Sequence, residues 1–323
     1  MALASVQGVT LTLTVRAAEW NRHVDQLAAS AERLVPVVKG NGYGFGRDWL
    51  AQRAAGLAPT LAVGTVHEVS SVPANHTAVV LTPTLDLPAD LRSNVVITVG
   101  NADHLHAAAR QPGRSVLVKV RSSMNRYGVD PQSAGRLADE ARGLGLIVRG
   151  YSIHPPRAGT SAAHAAEIDA LVRQLDPSTA VWVSHVDVDD YNRLRDGHPA
   201  REWNLRLGTT LWHGDKSALR LSADVLDVRA VRAGDIAGYR SVPVRIDGTM
   251  VIIGCGTAHG IAPLDDGLSP FHHARHRMPL HEPPHMHTSM CVVPHGDPVP
   301  SVGESVDVQR PLITTSADII RWA

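Results

Sequence analysis

The sequence predicts an α/β protein, a (β/α)8 TIM barrel followed by a C-terminal mostly-β domain. Apolar β-like runs alternate with amphipathic helical windows from Val9 to Val186. The alternation is gone after about Ser217. Beyond that point the apolar runs are short and joined by turns such as Arg232-Ala233-Gly234-Asp235 and Asp247-Gly248. Strands alternating with helices argue a parallel sheet with crossover helices, which closes most simply into a barrel. The expected barrel covers residues 12–217 and the expected β domain residues 218–323.

Each element has its own signal. Val9 to Val15 alternates around Leu11 and Leu13, as a strand does. Ala17 to Arg33 sets Trp20, Val24, Leu27 and Ala31 on one helical face. Leu34 to Val38 is a β-type run, and Asp48 to Ala55 is helical. Leu61 to Val66, Val79 to Leu81 and Val95 to Val99 read as strands. Ala102 to Arg110 is a short helix before the strand Ser115 to Val120. Gln132 to Leu144 is an amphipathic helix before the strand Ile147 to Ile153. Ala163 to Leu175 and Ala180 to Val186 repeat that pair. In the second half Val225 to Val231, Val242 to Ile246 and Met250 to Ile253 are β-like. No helical window returns until Ser316 to Arg321.

Composition narrows the function. The 323 residues carry 31 basic and 31 acidic side chains, a formal net charge of zero. That argues against nucleic acid and against an anionic membrane surface as partners. Two cysteines, Cys255 and Cys291, make no disulfide framework. The N-terminus lacks the pattern of a secretory signal, and no apolar run is long enough for a membrane span. A cytoplasmic protein is expected.

One stretch carries chemistry. Leu34 to Val38 delivers Lys39 to the carboxyl end of a strand, and a glycine-rich loop follows, Gly40-Asn41-Gly42-Tyr43-Gly44-Phe45-Gly46. A rigid strand aims the amine, and the loop lets a ligand approach backbone closely. A lysine after a strand is otherwise a solvated surface charge. Three further runs follow in order: Lys119-Val120-Arg121-Ser122-Ser123-Met124-Asn125-Arg126-Tyr127-Gly128, Gly150-Tyr151-Ser152-Ile153-His154, and Leu205-Arg206-Leu207-Gly208-Thr209-Thr210-Leu211.

The four runs together resemble the alanine racemase family, whose members are pyridoxal-phosphate (PLP) enzymes of fold type III. The first is similar to that family's V-V-K-A-N-A-Y-G-H-G. The resemblance implies PLP as cofactor, with Lys39 as the PLP lysine and Tyr43 as a phosphate ligand. Arg126 matches the arginine near the cofactor's phenolic oxygen, which also helps hold the substrate carboxylate. Lys119 matches a lysine that is carbamylated in some members. His154 matches the residue packed against the ring, and Arg206 the partner of the pyridine nitrogen. Amides of Gly208 and Thr209 would cradle the phosphate, with Ser184 as a further ligand. The resemblance also implies an N-terminal strand, 1–11, that joins the β domain, an amino-acid substrate and a homodimer.

The sequence departs from the family at several points. Arg121 and Ser123 replace its aspartate and glycine. The family's second base is a tyrosine in G-Y-A-D-G-Y-P-R, and Thr257 stands there, in Cys255-Gly256-Thr257-Ala258-His259. A threonine hydroxyl is a poor general base near neutral pH. Cys255 and His259 are the other candidates for that role. Met290 matches a substrate-carboxylate methionine, with Cys291 in place of the following aspartate. A histidine-rich insertion includes His285 and His287, the nearest approach to metal ligands, but their spacing completes no ligand set and no metal is expected.

The expected function is a PLP-dependent isomerase: an amino-acid racemase that interconverts L- and D-alanine for cell-wall peptidoglycan, weak or altered for want of the tyrosine. The alternatives are a PLP-dependent lyase or epimerase acting on a different or larger amino-acid substrate, and a PLP-binding protein without catalysis.

Overall fold

The structure, a computed structural model, describes residues 11–323. Its first strand, β1 (Leu11–Val15), is followed by helix α1 (Ala17–Ser30). Eight strands then form one parallel sheet: β2 (Leu34–Pro36), β3 (Thr60–Val63), β4 (Thr77–Val80), β5 (Val95–Val99), β6 (Ser115–Lys119), β7 (Ile147–Ser152), β8 (Val181–Val183) and β9 (Trp203–Leu207). They neighbour one another in the order β2-β9-β8-β7-β6-β5-β4-β3. The ring closes just past β2. Val37 N–H donates to Leu207 O at 2.8 Å, and Val38 N–H donates to Ala62 O at 2.8 Å. Most of these strands are buried along their whole length, and most read as apolar runs rather than as alternation, β9 with Asn204 and Arg206 being an exception.

Helices α2 (Arg47–Ala55), α3 (Ala102–Ala109), α4 (Pro131–Gly143), α5 (Ser161–Val172), α6 (Val188–Gly197) and α7 (Thr209–His213) lie between or after the strands. Their starts are chemically marked. Asn101, Thr160 and Asp187 each accept a backbone N–H of the first turn of α3, α5 and α6. Helix α4 begins with Pro131 and buries Ala134, Leu137, Ala138 and Ala141. Two crossovers depart from a strict α repeat. A short 3-10 turn, Val66–Ser71, links β3 to β4. Residues 81–94 link β4 to β5 without a helix, because Pro83 and Pro88 interrupt any helical run.

The described residues divide into two compact units, Arg22–Gly214 and Asp215–Ala323 with residues 11–21. In the second unit β1 pairs antiparallel with the long strand β10 (Leu219–Val231). A two-residue ribbon, β11 (Ile236–Ala237) and β12 (Val242–Pro243), follows. Strands β13 (Gly248–Ile253), β14 (Phe271–His273), β15 (His276–Arg277), β16 (Ser289–Pro294), β17 (Ser305–Val308) and β18 (Ile319–Trp322) complete it.

The N-terminal boundary and the C-terminal segment differ from the sequence expectation. Residues 12–15, expected to open the barrel, pair instead with β10 and β18. The other residues of the expected N-terminal strand, 1–10, lie outside the described residues. Ser316 to Arg321, expected as a helix, contributes to strand β18, parallel to β1. Six residues are too few to nucleate a helix alone. Asp318 accepts the Leu11 N–H at 2.8 Å, and Trp322 packs edge-on to Trp20 at 5.5 Å. These contacts reward an extended chain.

Candidate active site

Lys39 is placed by the barrel wall and by the loop that leaves it. The chain turns sharply at Gly42, whose φ is +67° and where a Cβ would lie 2.4 Å from Arg47 N. Only glycine fits there. The next residue, Tyr43, also has positive φ. It is held by Asn41 Oδ1, which accepts Gly44 N–H at 3.2 Å, and by His213, whose Nε2 donates to Tyr43 O at 2.7 Å. The phenol is buried, and its oxygen lies 2.1 Å from where a Cβ on Gly208 would be. The glycine therefore makes room for Tyr43 Oη at the start of α7. Burial, and secondarily Glu68, hold that phenol well above its ordinary pKa, so it is a neutral donor.

An open cavity is lined by Lys39, Gly64, Leu81, Thr82, Lys119, Arg126, Tyr127, Ser152, His154 and Arg206. The lining carries four basic side chains and no carboxylate. Lys39 faces the open mouth, yet its pKa is drawn below the ordinary lysine value. Desolvation is the main cause, then the charges of Arg126 and Arg206, with Glu68 opposing. Lys119 is only 5 % exposed, and its Nζ has no hydrogen-bond partner. Desolvation, Arg206 and Arg126 push its pKa far down. His154 is pushed down to about 2, by burial first and then by Arg206, so its imidazole is neutral. Its Nδ1 meets Ser184 Oγ.

Arg206 is buried at the centre of this arrangement. It donates to Ile153 O at 2.6 Å, Ser152 Oγ at 3.0 Å, Trp182 O at 3.3 Å and Ser184 Oγ at 3.4 Å. No carboxylate pairs with it among the described residues. Burial lowers it to about 10, which leaves it a cation at neutral pH. Ser184 thus sits behind the cavity, bonded to two of its lining residues. Gly208 and Thr209 stand at the start of α7, beside Tyr43 Oη. The two departures in the Lys119 run turn away. Arg121 pairs with Asp130, and Ser123 Oγ donates to Glu167 at 2.9 Å.

Besides the lining residues Gly64, Leu81, Thr82 and Ser152, two residues that act on Lys39 and Arg126 were missed in the sequence, Glu68 and Tyr127. Glu68 accepts Gly64 N–H at 2.6 Å and Gly40 N–H at 3.2 Å, with Arg47 3.7 Å away. It joins the loop of Lys39 to the end of β3. Tyr127 lines the cavity and bonds Arg126. Tyr127 sat inside a run already singled out, so the signal was available. Glu68 lay in a stretch with no motif.

The β-domain candidates are built differently. Cys255 is fully buried, and desolvation and the nearby Cys291 push its thiol far up. His259 is tied on both nitrogens: Nδ1 accepts Gly256 N–H at 3.1 Å, and Nε2 faces Asp318 Oδ2 at 3.1 Å. Thr257 is exposed, its N–H donating to His285 O at 2.7 Å. Met290 packs in an apolar cluster with Val231, Val244, Met250 and Val292. His285 bonds Glu282, and His287 packs edge-on to His259 at 5.8 Å. No group of three metal-ligating side chains comes together among the described residues. No helix among them is long and apolar enough to cross a membrane.

Residues 16–185 match the family described as alanine racemase, N-terminal domain. Alanine racemases of Mycobacterium bovis and Mycobacterium tuberculosis are 38 % identical over 126 residues, 36 % of this chain and 33 % of theirs. The match thus spans about a third of those relatives' length. Among solved structures, alanine racemase from Bartonella henselae with covalently bound pyridoxal phosphate superposes with a TM-score of 0.70 at 17 % identity, covering 97 % of this chain and 99 % of that one. Alanine racemase from Bacillus anthracis with bound L-Ala-P gives 0.71 at 17 % identity, covering 94 % and 86 %. At such identity these two likenesses speak for the fold, and the family match over more than half of the sequence places this chain in the alanine racemase family.

Proposed function

We propose that the protein is a PLP-dependent amino-acid racemase similar to alanine racemase, weak and asymmetric in its action. The observation that carries this reading is the Lys39 cavity: a lysine of lowered pKa faces a space lined by basic groups and no acid. Those residues suit an anionic cofactor that bears a carbonyl. The unpartnered Lys119 Nζ and the cradle of Tyr43 Oη over Gly208 support the same fit. Lys39 would hold the cofactor covalently. Tyr43 Oη, Ser184 and the Gly208 and Thr209 amides would hold its phosphate. Arg206 would face the ring nitrogen, and as a persistent cation it would not give that nitrogen a proton. His154, neutral, would pack against the ring, and Arg126 would hold the phenolic oxygen and the substrate carboxylate.

Bound PLP supplies an electron sink that acidifies the Cα–H of an amino acid. Lys39 Nζ, uncharged at lower pH than an ordinary lysine, would take that proton on one face. Cys255 is sealed in the fold and His259 is bonded on both nitrogens. The run from Cys255 to His259 therefore offers no free base. That observation also favours a second reading, a PLP-dependent lyase, which needs only one face. The proposal carries with it an amino-acid substrate, a homodimer and a cytoplasmic site of action.

Purified protein supplemented with PLP should show the visible absorbance of lysine-bound cofactor. Borohydride should then fix PLP to the peptide that contains Lys39, and Lys39→Ala should lose both signals. No absorbance and no fixation in the wild type would refute the reading.

A further inference from the structure

Arg126 reaches the Lys39 cavity from the loop between β6 and α4, where an exposed arginine would ordinarily sample many rotamers. It forms no ion pair among the described residues, and the partner that the structure gives it is the next residue. Arg126 Nη2 donates to Tyr127 Oη at 3.1 Å, and the guanidinium carbon stands 4.5 Å from the centre of the Tyr127 ring. The phenol is anchored in turn. Its hydroxyl donates to Leu81 O at 3.3 Å, and Leu81 N–H is bonded to Val63 O at 2.9 Å across β3. A hydroxyl acceptor and an aromatic face together suit a planar guanidinium. The chain of contacts runs from barrel backbone to phenol to guanidinium, and both side chains line the cavity.

We infer that Tyr127 is a positioning residue that holds the Arg126 guanidinium at the Lys39 cavity. This rests on the reading of that cavity as the active site. The consequence is electrostatic. Arg126 is among the charges that lower Lys39, Lys119 and His154. Lys39 is faced also by Arg206 from β9 and by Glu68 from the 3-10 turn, which is paired with Arg47 of α2. Lys119 and His154 line the same space. Arg126 alone among these is held by Tyr127. Freed from the phenol, the guanidinium would spend time away from the cavity, and the Lys39 amine would hold its proton to higher pH.

The test is competitive labelling of the full chain with acetic anhydride across pH, with acetylation at Lys39 read by peptide mass. No PLP is needed, so the outcome is separable from cofactor binding. Tyr127→Leu should raise the apparent pKa of Lys39 by a fraction of a unit to about one unit, the scale of one neighbouring charge. Tyr127→Phe keeps the ring and should give a smaller rise. Arg126→Leu should give the full rise, and Tyr127→Phe added to it should change nothing more. A rise that persists in the Arg126→Leu background would overturn the inference, because Tyr127 would then act by another route. So would wild-type profiles in both Tyr127 variants, or no shift in Arg126→Leu itself. Failure of PLP to bind while the shifts appear would refute the racemase reading and leave the positioning role standing.

Discussion

The Lys39 cavity and the Cys255–His259 run are both motif-bearing stretches, but the fold treats them in opposite ways. In the barrel, side chains from β2, β6, β7 and β9 and their following loops converge on one open space, where the buried Lys119 Nζ has no hydrogen-bond partner. In the β domain, the candidate groups are consumed by the structure. Cys255 is buried without access, and His259 closes a short turn by bonding Gly256 and Asp318. A residue type in the right stretch is a candidate for chemistry only when its reactive atom is left over after the fold has been satisfied.

The largest expected effect comes from the barrel. Lys39→Ala should remove all lysine-dependent exchange of the substrate Cα proton, since the group proposed to hold the cofactor and to move that proton would be gone. Measured exchange at the wild-type rate in this variant would end the comparison. Gly208→Ala should follow. A Cβ 2.1 Å from Tyr43 Oη cannot be accommodated without moving the phenol. Forced overpacking typically costs about 1–3 kcal/mol, so PLP affinity, read by fluorescence titration, should fall roughly tenfold or more.

His259→Ala should show the opposite profile. It leaves the buried Gly256 N–H without its acceptor. An unmet buried polar group costs about 1–3 kcal/mol, so the melting temperature should drop while turnover at low temperature stays near wild type. Lost turnover with unchanged stability would make His259 a working base. The smallest effect is a pH shift. Lys39 lies below the ordinary 10.5 because desolvation, Arg126 and Arg206 outweigh Glu68. Its reactivity should therefore rise with pH through a midpoint below that value. Glu68→Gln removes the one opposing charge and should move the midpoint further down, as acetylation at Lys39 would report.

Much of this was legible in the sequence where local and tertiary demands agree. The buried strands of the barrel are plain apolar runs, and the glycines of residues 40–46 announced a strained loop. Strand β9 was harder to read, because Asn204 and Arg206 interrupt its apolar run, and helix α6 is short and strongly polar. Residues 319–322 became a strand because β1 offers them an edge, a fact no local window contains. Glu68 was invisible for the same reason. Its role is to accept two glycine N–H groups that are 24 residues apart in sequence, Gly40 and Gly64.

The proposed one-sided chemistry is tested most directly by incubating the PLP-supplemented protein with L-alanine and with D-alanine in D₂O, and following deuterium at Cα for each. One enantiomer should exchange quickly, and net racemisation should lag by roughly 10²–10⁴, the usual contribution of a general base. Thr257→Tyr should narrow that gap. Equal, rapid exchange of both enantiomers by the wild type would mean that a competent second base exists, and no exchange of either would mean that Lys39 does not act on alanine at all.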